Sequence, residues 1–162
     1  MALPEKKIPQ LHARDLNGRR WILPCDLSSK RTLLLVAFER GQQASVDSWI
    51  RGLALDVPNN HIDWMEIPLL QRGWQFISSW IDHGMKRGIT QERMRSHVWT
   101  VYTHRASFLQ SAGIASIKGL AILVVDGDGR ILEAVSGDFT QDRAAQVLKA
   151  LRDPNEILRT KS

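Results

Sequence analysis

Arg40, Gln42 and Gln43 stand in the short stretch Glu39–Ser45, ERGQQAS, between an apolar run that ends at Phe38 and a helix-like pattern that follows. A guanidinium and two primary amides in so few residues can clasp a carboxylate or a phosphate. Free backbone N–H groups at the start of a helix favour the same kind of ligand. A loop at the carboxyl end of a strand is also where open α/β sheets take their ligands. Glu39 and Ser45 bound this candidate partner- or anion-binding surface. Arg105, after a later strand at the same edge, can reach toward the Arg40 loop. ERGQQAS lacks the glycine and lysine spacing of a phosphate loop. The plainer alternatives are a polar loop with no ligand and a solvated arginine at a helix start.

Other reactive side chains are sparse. Cys25 is the one cysteine, so the chain has no internal disulfide framework and no cysteine cluster for a metal. Catalysis by Cys25 requires a helix N-terminus or a basic neighbour to favour the thiolate, and Lys30 and Arg31 are near it only in sequence. It reads as a partly buried structural cysteine. His12, His61, His83, His97 and His104 form no HxxxH or HExxH pair. An EF-hand register from Asp126 would need oxygen ligands where Arg130 and Gly137 stand, so DGDG reads as a tight turn. No metal and no cofactor is expected.

These side chains sit on an ordinary globular background. The chain has 162 residues, 43% hydrophobic and 24% charged, with a net charge of +5. That length suits one domain with a real core; a single domain over 1–162 is expected, with its core at about 11–152 and short flexible termini. No apolar run approaches the roughly 20 residues of a membrane-crossing helix. The opening MALPEKKIPQ has no apolar h-region. A cytoplasmic location is expected, or a mitochondrial one for a processed eukaryotic chain. The basic residues are scattered, and a basic nucleic-acid-binding module is a distant alternative. Most of the six tryptophans fall at core-facing spacing.

The elements follow in order. Leu11 to Leu16 and Trp21 to Leu23 flank Asn17-Gly18, a strong hairpin signal. Thr32 to Phe38 is a strand buried on both faces. Val46, Trp49, Ile50 and Leu53 mark an amphipathic helix that Ser45 caps. Ile62 to Ile67 is a strand ended by Pro68. A helix face at Ile77, Trp80, Ile81 and Met85 and a short helix over Gln91 to His97 form an insertion. Val98 to Thr103, Leu120 to Val125 and Arg130 to Val135 are strands. Ala106 to Ala112 is a helix closed by Gly113. Thr140 caps a last helix with an apolar face at Ala144, Val147, Leu148 and Leu151. Strands alternating with helices imply parallel pairing, with a late antiparallel hairpin.

The distal part, from VYTHRASF through Gly113-Ile114 and AILVVDGDGRI to Gly137, resembles thioredoxin-like and peroxiredoxin-like proteins. DLNGRRWILP is similar to their opening hairpin. The resemblance implies a thioredoxin-like α/β fold: a central mixed sheet flanked by helices, with an N-terminal hairpin and a helical insertion. Two redox features of that group are unmatched. Gln43 and Val46 fall near its two cysteine positions, and neither side chain can do thiolate chemistry. Leu120 stands where its cis-proline would lie, six residues before Asp126. Within the group, LLLVAFERGQQASVDSW and the distal motifs look most like a cysteine-poor branch typified by the mitochondrial assembly factor of the ATP synthase membrane sector. That branch implies a non-catalytic protein that binds or chaperones a protein partner. Leu120 then joins Glu39, Arg40, Gln42, Gln43, Ser45 and Arg105 as a candidate for the partner surface. The alternative is a divergent redox enzyme working through the lone Cys25.

Overall fold

The computed structural model describes residues 6–27, 30–57, 60–70, 97–103 and 105–152. The helical insertion expected around residues 77–97 lies outside them, save His97, as do Pro58, His104 and Pro154.

The first hairpin is β1 (Leu11–Asp15) and β2 (Arg20–Leu23). Asp15 organises its turn: the carboxylate accepts from Asn17 N and Arg19 N, each at 2.9 Å, and from Trp21 Nε1 at 3.0 Å. Gly18 takes the positive φ of +86° that the turn demands. β3 (Arg31–Ala37) follows, then a single 3-10 turn (Arg40–Gln42) and α1 (Gln43–Gly52). β4 (Trp64–Leu70), β5 (Trp99–Tyr102), α2 (Arg105–Ala112), β6 (Ala121–Asp126), β7 (Ile131–Ser136) and α3 (Gln141–Leu151) complete the order.

The seven strands form one mixed sheet in the order β2-β1-β5-β4-β3-β6-β7. β3, β4 and β5 pair in parallel; β6 pairs antiparallel to β3, and β7 antiparallel to β6. Residues alternate faces along a strand, and β3 shows the result. Leu34 and Val36 enter one core, with Phe108 and Ala112 of α2 and with Leu11, Ala13 and Leu23 of the hairpin. Leu33, Leu35 and Ala37 enter the other, with Val46, Trp49 and Ile50 of α1 and Ala144 and Val147 of α3. Helices therefore cover both faces of the strand that leads into the candidate loop.

Three local expectations are corrected. Ser45 does not cap α1: the helix begins at Gln43, behind the 3-10 turn, and its N-cap residue Gln42 makes no capping side-chain bond. Pro68 does not end β4. It lies opposite Ala37, the last residue of β3, so the ladder on that side finishes at the proline, while Leu69 and Leu70 go on to pair with β5. Leu148 is not on the buried face of α3; it is one of the exposed large hydrophobics. Thr140 does cap α3, its Oγ1 accepting from Arg143 N at 3.1 Å. Trp49, Trp64 and Trp99 are buried. Asp126 Oδ1 accepts from Asp128 N and Arg130 N, each at 2.9 Å, which makes DGDG a side-chain-braced turn.

Candidate functional site

β3 ends at Ala37, and the next two residues have no ladder partner in β4. Their backbone groups must be bound another way. Gln42 does this: its Oε1 accepts from Phe38 N at 2.7 Å and from Glu39 N at 3.3 Å, and its Nε2 donates to Ile117 O at 2.7 Å. Arg105 Nη2 donates to Phe38 O at 2.7 Å. Both main-chain groups of Phe38 are thus held by side chains, one from the 3-10 turn and one from the start of α2. Arg105 does reach the loop that Arg40 opens, and it is a strap between elements, not a solvated helix-start arginine.

Gln43, the first residue of α1, points inward. Its Nε2 donates to Glu66 Oε1 at 3.0 Å and lies 3.4 Å from Asp47 Oδ1. Glu66 is fully buried on β4, opposite Leu35 of β3, and its N–H donates to His97 O at 2.7 Å. Glu66 is the residue the sequence reading missed. Its signal was a carboxylate in the middle of WMEIPLL, a strand otherwise apolar, since a carboxylate there must be held by hydrogen bonds.

Gln42 and Gln43 are each only 7% exposed. Neither amide is presented to solvent as a ligand clasp, which corrects the sequence-based expectation. Glu39, Gly41 and Ala44 are the exposed residues of the loop. Ser45 is half-buried in the first turn of α1; its carbonyl accepts from Ser48 Oγ at 2.6 Å, and Ser48 Oγ in turn accepts from Phe139 N at 3.1 Å. Leu120 is also corrected as a surface candidate. Its side chain is fully buried in the core under α1 and α3, and its carbonyl accepts from Gly137 N at 3.0 Å. Gly137 O accepts from Trp49 Nε1 at 2.8 Å, which carries the bracing back into α1. Among the described residues the only cis peptide is Leu23–Pro24, so the bond before Leu120 is trans.

Cys25 is exposed, contrary to the partly buried cysteine expected. It lies far from the loop. The neighbouring Pro24 packs against the β6–β7 turn, where a Cβ on Gly129 would come 3.0 Å from its Cγ. That turn follows Asp126, which pairs with Arg31 at the start of β3. The loop follows the end of the same strand, roughly 20 Å away at about 3.3 Å per residue. Among the described residues no group of three His, Cys, Asp or Glu side chains is placed to hold a metal, and no helix is long and apolar enough to cross a membrane.

No family model and no curated protein matches the chain significantly. Solved structures do match along most of its length. An Aquifex aeolicus protein assigned to electron transfer is 13% identical, with 93% of this chain and 97% of that one covered, at a TM-score of 0.64. BsSco, a member of the Sco family of cytochrome c oxidase assembly proteins, is 13% identical over 90% of this chain and 94% of its own, at 0.61. The exposed lipoprotein thioredoxin of Streptococcus pneumoniae is 14% identical over 88% of this chain and all of its own, at 0.54. The mixed sheet, its helices and these likenesses define an α/β protein with a thioredoxin-like fold. At such identities the likeness extends to the fold alone.

Proposed function

We propose that the chain is a single-domain, non-catalytic thioredoxin-like protein that binds or chaperones a protein partner at the exposed rim of the loop after β3. The observation that carries this reading is the inward use of Gln42 and Gln43. Near the positions where redox members of this fold keep thiols, the chain places an amide that holds a buried carboxylate and another that holds the loop's own backbone. The exposed Glu39, Gly41 and Ala44 are what the loop offers to a partner. The client implied by the sequence resemblance is the membrane sector of ATP synthase. BsSco, with the same fold, comes from a family of assembly proteins for another membrane complex, which is consistent with that use.

A second reading, redox work by one cysteine, is favoured by the exposure of Cys25. One experiment separates the two. The tagged chain is used to pull down partners from host membranes as wild type, Cys25→Ser and Ala44→Arg, the last placing a bulky cation on the exposed first turn of α1. Recovery of the same partner by wild type and Cys25→Ser, with loss in Ala44→Arg, supports binding at the loop. A membrane-sector ATP synthase subunit in that fraction supports the implied client. A partner recovered only through a disulfide to Cys25 overturns the proposal in favour of the second reading.

A further inference from the structure

We draw no further inference here: the strongest candidate, the outer edge of β7 at the margin of the sheet with its exposed Leu132, carries none because nothing in the structure shows what covers it.

Discussion

Gln43 Nε2 donates to Glu66 Oε1 at 3.0 Å, tying the first turn of α1 to the buried centre of β4. The bond joins the residue near the thiol position of redox relatives to a carboxylate with no solvent exposure. A hydrogen bond contributes about 0.5–1.5 kcal/mol net, and removing one partner of a buried pair adds a desolvation cost of about 1–3 kcal/mol. Gln43→Ala is therefore expected to lower stability by about 2–3 kcal/mol in urea unfolding. Gln43→Glu, which sets a second carboxylate against Glu66, should cost more. An effect of Gln43→Ala below about 0.5 kcal/mol would show that the bond contributes little.

Much of this site was legible in type but not in direction. The loop, its place at the carboxyl edge and the reach of Arg105 follow from ERGQQAS and from the strand–helix alternation around it. That Gln42 and Gln43 point inward does not follow. An amide is equally suited to a ligand and to a strand end in need of partners. Which use it has depends on where Ile117 and Glu66 come to lie, through contacts 75 and 23 residues away in sequence.

Gln42 supplies three hydrogen bonds from one side chain, to Phe38 N, Glu39 N and Ile117 O. Their removal frees two donors and an acceptor in a largely buried place. Gln42→Ala should destabilise by about 2–4 kcal/mol, taking two or three net bonds at about 1 kcal/mol each plus the unpaired groups left behind. Gln42→Glu keeps both accepted bonds but turns the donor to Ile117 O into an acceptor. It should fall between wild type and Gln42→Ala in thermal unfolding if the Phe38 and Glu39 contacts dominate.

Cys25 is exposed at the far end of β3 from the loop. In the folded protein it should react with iodoacetamide to one adduct per chain by intact mass, with no unfolding required. Modification should leave thermal stability unchanged within about 0.5 kcal/mol, as surface changes usually do. A thiol that reacts only in denaturant would contradict the exposed position.

The strands were the more readable half of the fold, because LLLVAF and AILVVD are too apolar for anything but a two-sided burial. Element ends were less so. Pro68 looked like a terminator because a proline cannot donate to a ladder. Opposite the last residue of β3, however, it meets the point where that ladder finishes anyway. Leu148 repeated the helical spacing of Ala144 and Val147, yet it is among the exposed large hydrophobics.

Gly52, the last residue of α1, lies under the ring of Phe139, where an added Cβ would fall 2.4 Å from Cδ2. Two effects oppose one another in Gly52→Ala. Alanine in place of glycine in a helix contributes up to about 1 kcal/mol. Forcing the ring aside costs about 1–3 kcal/mol as overpacking. The displaced ring also gives up its edge-on contact with Trp49, at a centroid distance of 5.3 Å and 81°, an arrangement worth about 0.5–1.5 kcal/mol. The clash should win, and Gly52→Ala should lower stability by about 1–2 kcal/mol. In a Phe139→Ala background the ring is gone and only the helix preference remains, so the same substitution should become neutral or stabilising. A double-mutant cycle measured by thermal unfolding would show this as a change of sign. A cost unaltered by Phe139→Ala would place the strain in the backbone at the end of α1 and not in the packing of α1 against the turn before α3.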